Sequence, residues 1–298
     1  MFITYDVFCF LCRNNVEKCE DILSKGLNID AVCNKKKPFN STGLILSANE
    51  GHEEVVRMLL RRNADIHYRN VHNDTALIAA AKKGHTRVVE ILLDVDVNLG
   101  DTDYAGRTAL IHAAVGGHLE IVNLLINREV NINDTDLKGK SALYLASAYG
   151  HEDVVDRLLE HQDIKINQGD IWGVTPIIRA SWIGSLKIMN LLLSAGADVN
   201  LEDEFRMTAL IHAGIWKQKQ IMKLTSWTDN QLQHRDRFGN MAEDYFLNRR
   251  LRFDIMNYIH VRYKEILEDE RTLPDFPHRF SRMNLNYDLD SMDTDDIG

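Results

Sequence analysis

An eleven-residue pattern returns along this chain at an almost fixed interval, and that return limits the possible folds more than composition does. TALIHAAVGGH begins at Thr108; TALIAAAKKGH begins 33 residues earlier at Thr75, and TGLILSANEGH another 33 earlier at Thr42. Forward of it, SALYLASAYGH starts at Ser141, TPIIRASWIGS at Thr175 and TALIHAGIWKQ at Thr208, and the register survives into MAEDYFLNRRL at Met241. The steps are 33, 33, 33, 34, 33 and 33, with the extra residue inside EHQDIKIN, residues 160–167. Such a period makes each copy one supersecondary unit that has no core of its own and buries its apolar faces against its neighbours.

Each copy has the same physical content. Gly106, Gly139, Gly173 and Gly239 stand two residues before the starter position, where a tight turn favours a residue without Cβ. The Thr or Ser then offers an N-cap oxygen. Leu or Ile two residues on, followed by Ala one turn later, forms the narrow apolar face of a short helix. Gly51, Gly84, Gly117, Gly150 and Gly184 end it as glycine C-caps. A second helix carries Val55-Val56, Val88-Val89, Ile121-Val122 and Val154-Val155. One turn on come Leu59-Leu60, Leu92-Leu93, Leu125-Ile126, Leu158-Leu159 and Leu192-Leu193, which is the helical period. Polar segments such as NINDTDLKGKS between copies are long enough for a projecting hairpin.

These residues resemble the ankyrin repeat over about 38–262, and less clearly from residue 5. The resemblance implies an all-α ankyrin-repeat α-solenoid of helix-turn-helix pairs with projecting β-hairpin loops, about seven to eight repeats counting degenerate caps. The expected organisation is a degenerate N-terminal capping repeat over 1–37, repeats over 38–240, a C-terminal capping repeat or helix over 241–270, and a polar, acidic, disordered tail over 271–298. Tyr5–Asn15 and Val16–Gly26 align with the two helices of the first cap. The family's Thr-Pro-Leu-His opening survives in part: Pro176 is the sole proline in its place, and Ile follows the Leu in most copies. Repeat six loses its helix-ending glycine to Lys217, and its second helix, Gln220–Thr225, is short on leucine.

Composition narrows the function. A net charge of −9 argues against nucleic acid as principal ligand, because phosphate binding needs a basic face; only runs such as Lys35-Lys36-Lys37 and Arg61-Arg62 are basic. No stretch approaches the ~18 consecutive apolar residues of a membrane span. The opening MFITYDVFCFLCRNN lacks the basic start of a signal peptide and is read as the first helix. Cys9, Cys12, Cys19 and Cys33 all fall within the first 33 residues, which is not the framework of a secreted disulfide protein. A reducing compartment, cytoplasmic or also nuclear, and a monomeric chain are expected.

No arrangement for catalysis emerges, so the expectation is a non-enzyme without cofactor or metal. His112 and His212 lie three repeats apart, too far to share an ion, and read as groove-lining or helix-packing groups. His52, His85, His118 and His151 follow the helix-ending glycines and read as structural; the cysteines read as thiols, not zinc ligands. Asn200 lies in LSAGADVN, a context that resembles the asparagine-hydroxylation site of ankyrin hairpins but is also the repeat consensus. TLPDFPHRF, residues 272–280, resembles one end of a ubiquitin-ligase adaptor box but lacks its Leu-Cys core.

The family resemblance implies that partners are held by the hairpin tips and the concave, exposed side of the first helices. Reading those positions gives Tyr104, Tyr149, Ile171, Trp172, Trp182, Ile183, Phe205, Ile215, Trp216 and Phe238 as the candidate partner-binding set. Trp172, Trp182 and Trp216 are expected at positions that stacking leaves exposed, and bulky apolar groups contiguous in water mark a binding surface. The implied function is non-catalytic recognition of another protein or peptide, as adaptor or scaffold. The alternatives are a regulatory or inhibitory subunit that occludes an enzyme, and self-packing in which residues 262–285 fold into the groove.

Overall fold

Short helices of seven to nine residues are marginal in water, so what starts and ends each one matters. The hydroxyls of Thr42, Thr75, Thr108, Ser141 and Thr175 each accept the backbone N–H three residues on, a cap contributing about 1 kcal/mol. Pro176 occupies the first turn of its helix, where the missing N–H costs nothing. Gly51, Gly84, Gly150 and Gly184 close the first helices in the left-handed region.

The computed structural model of the protein describes residues 14–33, 40–224 and 227–262. After α1 (Val16–Ser24), the chain alternates an inner and an outer helix. These are α2 (Gly43–Glu50) with α3 (Glu53–Arg61), α4 (Ala76–Lys83) with α5 (Thr86–Leu93), and α6 (Ala109–Val115) with α7 (Leu119–Ile126). α8 (Ala142–Tyr149) with α9 (Glu152–Leu159) and α10 (Pro176–Ile183) with α11 (Leu186–Ser194) continue the pattern. α12 (Ala209–Ile215) is followed by two single-turn pieces, α13 (Lys219–Met222) and α14 (Asp229–Leu232), and then by α15 (Ala242–Leu247).

Inner helices pack on inner helices from α2 to α15, and outer helices likewise from α3 to α11, so the core is a continuous double row. Val55, Val56, Leu59, Val88, Val89, Leu92, Ile121, Val122, Leu125, Val154, Val155 and Leu158 are all buried in it, at the positions the period assigns. Among the described residues there are no strands, only the isolated bridges Cys33–Ser41 and Thr135–Ser141. The expected hairpins are tight turns, each closed by two backbone bonds such as Asp136 N–H to Lys140 C=O at 3.0 Å and Gly139 N–H to Asp136 C=O at 2.9 Å. They are too short to count as sheet.

Repeat six departs from the rest. Its outer helix shrinks to one turn, and Trp227, the fourth tryptophan, is buried with its indole N–H donating to Ile221 C=O at 2.8 Å.

Contacts divide the chain into one unit over Met1–Leu247 and a second over Asn248–Gly298, whose described part is the helix α16 (Arg249–Arg262). The expected helix over Tyr5–Asn15, with Cys9 and Cys12, lies almost wholly outside the described residues; so do the acidic tail and all but the first residue of the 262–285 segment. Cys19 and Cys33 are buried, and Cys33 is a free thiol. No helix among the described residues is long and apolar enough to cross a membrane.

Candidate recognition surface

The surface is built on a column of five aspartates and one asparagine. Asn70, Asp103, Asp136, Asp170, Asp203 and Asp236 stand five residues before each starter position, and in each Oδ1 accepts the backbone N–H groups two and four residues on, at 2.8–3.0 Å. This Asx closure fixes every turn. Each tip is then tied to the one before: Tyr104 N–H to His72 C=O, Leu137 to Ala105, Ile171 to Lys138, Glu204 to Trp172 and Arg237 to Phe205, at 2.9–3.1 Å. The tips form one hydrogen-bonded row.

The second carboxylate oxygen reaches into the stack. Asp103 accepts from His112 Nε2 and Asp203 from His212 Nε2, both at 2.9 Å, while Tyr144 and Tyr245 donate to Asp170 and Asp236. Because a carboxylate only accepts, Nε2 carries the hydrogen in both histidines. Burial holds His112 below the usual imidazole range despite its bond to Asp103. Burial alone would raise Asp103, but the bonds from His112, Arg107 N–H and Ala105 N–H outweigh it and hold the carboxyl low. Burial raises Asp170 against the Tyr144 bond, and burial with the Asp236 bond pushes the Tyr245 hydroxyl upward. Both histidines serve helix packing, as their position implied.

Asp74, Asp103 and His112 each offer a ligand atom within 4.8 Å of the others. The Lys82 ammonium, 3.9 Å from Asp74, already supplies positive charge there, and the Asp–His pair recurs at Asp203–His212. The pair is a property of the repeat.

The histidines after the glycines have a different job. His85 Nε2 donates to Asn49 C=O and His151 Nε2 to Val115 C=O, one repeat back; Gln218 does the same to Trp182 C=O. These bonds satisfy carbonyls left over at the ends of inner helices. A Cβ on Gly117, at φ +67°, would lie 2.5 Å from the His151 ring, so glycine there serves both the backbone and the neighbouring repeat.

The aromatic positions divide. Tyr104 (69 % exposed), Ile171 (62 %) and Phe238 (45 %) stand open at the tips, as expected. Leu137 (75 %) and Val71 (41 %) stand in the register of Tyr104 and Ile171, four residues before the starter, and Phe238 lies one position later in its turn. Tyr149, Trp172, Ile183 and Trp216 are half-buried. Trp182, Phe205 and Ile215 are buried, which corrects the expectation that stacking leaves them exposed. Trp182 is 2 % exposed because the Arg179 guanidinium lies 4.5 Å from its ring and the rings of His212 and Trp216 pack on it at 5.3 Å. Phe205 packs against Phe238 of the next turn at 6.5 Å, and Ile215 is enclosed in α12, which is covered by α10 and α15. Asn200 is exposed, its amide donating to Asp198 and its carbonyl accepting from Gln231.

Known proteins give the same assignment. The model "Ankyrin repeats (3 copies)" matches residues 8–103 and 94–170, and "Ankyrin repeat" matches 172–204. No curated protein matches the sequence. Among solved structures, the crystal structure of the human ASB11 ankyrin repeat domain aligns with a TM-score of 0.64 and 21 % identity, covering 73 % of this chain and 97 % of that one. The 33-residue register, the glycine-closed inner helices and the matched span, which exceeds half the sequence, agree: this chain belongs to the ankyrin-repeat family.

Proposed function

We propose that this protein is a non-catalytic recognition module that holds another protein through its hairpin tips and the concave face of its inner helices. One observation carries the reading. Four consecutive turns present Val71, Tyr104, Leu137 and Ile171 to solvent in one register, on a row whose backbone is fixed by inter-repeat hydrogen bonds. Scattered apolar residues need no explanation, but a continuous row of them on a rigid support does. The stack does not use these side chains. Tyr149, Ile183 and Trp216, half-buried on the inner-helix side, extend the contact face, as do Trp172 and Phe238 at the tips. The free thiol of Cys33 supports action in a reducing compartment.

Replacing Tyr104, Leu137 and Ile171 together with serine tests this. Capture of partners from native lysate by the tagged full chain is expected to fall at least about tenfold, since central aromatic anchors carry most interface energy. The melting temperature is expected to stay within a few degrees of wild type. Unchanged capture would remove the tips from the binding face.

A further inference from the structure

The inner helices end on a rim whose chemistry changes along the array. Eight residues after each starter stand Glu50, Lys83, Gly116, Tyr149, Ile183 and Trp216, flanked by Lys82 before Lys83 and by Lys217 after Trp216. Lys82, Lys83 and Lys217 are exposed, Lys82 also facing the buried Asp74 at 3.9 Å, against the single carboxylate of Glu50 on the rim itself. The rim is therefore cationic in a chain of net charge −9, and its cations bracket an apolar middle. Two of the apolar groups are held in place by the fold. Trp216 packs on the buried Trp182 at 5.3 Å, and Tyr149 stacks with His151 at 6.3 Å. Rings fixed before binding lose little entropy on contact.

We infer that this rim takes an extended acidic–apolar peptide segment, its bulky apolar side chains on Tyr149, Ile183 and Trp216 and its carboxylates at Lys82-Lys83 and Lys217. This rests on the recognition reading above and specifies the partner's chemistry at the inner-helix face. Stacked helices lie ~8–10 Å apart, so the four repeats from Lys83 to Lys217 span roughly 40 Å. About 12 residues of extended chain at ~3.3 Å each cover that distance. The geometry favours peptide over nucleic acid. No basic residue stands on the rim between Lys83 and Lys217, and a phosphate chain of that length would leave most of its charges unneutralised.

The test is selection of random peptides of about 16 residues, longer than the span requires, displayed on phage against the full chain. Enriched sequences are expected to carry Asp or Glu on both sides of bulky apolar residues. The Lys83→Glu/Lys217→Glu variant, checked for wild-type folding by circular dichroism, is expected to bind a selected fluorescein-labelled peptide about tenfold more weakly. It is also expected to enrich Lys- and Arg-flanked sequences instead. Enrichment without acidic residues, affinity unmoved by the charge reversal, or no enrichment would overturn the inference. So would tighter binding of an oligothymidylate that the reversal abolishes. If selected peptides lose affinity only in the Tyr104/Leu137/Ile171 serine variant, recognition stands and the rim chemistry falls.

Discussion

Asp103 and His112 show what a single pair does in this protein. The carboxylate closes its turn with one oxygen and holds the imidazole with the other, so turn and inner helix become one mechanical unit. The pair also sets a pH dependence. Burial keeps His112 neutral in the fold, whereas in the unfolded chain it titrates near the ordinary value of about 6.5. As pH falls below that value, the unfolded chain binds a proton that the folded chain does not, and stability is lost. The lowered Asp103 acts in the same direction at still lower pH, where the unfolded carboxyl protonates first. Urea unfolding of wild type is therefore expected to lose more stability between pH 7.5 and 5.5 than that of His112→Gln, whose amide still donates to Asp103. Equal slopes would exclude His112 as the titrating group. The aspartate column was open to reading in the sequence, since Asp103, Asp136, Asp170, Asp203 and Asp236 recur with the period. Polar turn residues are so common that attention to apolar periodicity passes over them.

Among the elements, the inner helices of the later repeats differ from the rest by an interlocked row of rings and cations. Arg179 lies over both Tyr144 and Trp182, and Trp182 continues into His212 and Trp216, linking α8, α10 and α12. Helix boundaries, caps and apolar faces were legible because they follow from local hydrogen bonding and the 3.6-residue period. The burial of Trp182 was not. It occupies the same register as the exposed Lys82, and its burial rests on Arg179 of its own helix and on the cross-repeat rings of His212 and Trp216. Trp182→Ala is accordingly expected to cost about 3–5 kcal/mol, the range for removing a large buried ring. Trp172→Ala, at a half-buried tip, is expected to cost under about 1 kcal/mol. Denaturant midpoints of the two variants measure the difference; similar midpoints would mean that Trp182 does not anchor the row.

Across the unit Met1–Leu247, stability is a sum of repeats and nearest-neighbour contacts, so damage should stay local. Repeat six is the place to look, because its outer helix has one turn and the buried Trp227 donates its indole N–H to the Ile221 carbonyl. Trp227→Ala is expected to raise hydrogen exchange across residues 208–247 while the inner helices α4, α6 and α8 keep their protection. Loss of protection spread evenly over the unit would show a single cooperative block instead. The sequence had flagged this repeat through its missing leucines and Lys217, but not its remedy. Trp227 lies outside the repeated pattern, and nothing periodic points to it.

The sequence by itself determined the fold, because stacking identical units needs only a period, a cap, a turn and two apolar faces, all of which are local and repeated. It also determined where the exposed turns fall, and Tyr104, Ile171 and Phe238 are open there. Tertiary structure alone decided which of the bulky side chains belong to the stack. Whether a ring is buried depends on the residues 30 to 40 positions away that the superposed repeats bring against it, as His212 and Trp216 on Trp182 show. Those contacts join non-equivalent side chains of different copies, and a repeat pattern records only what the copies share.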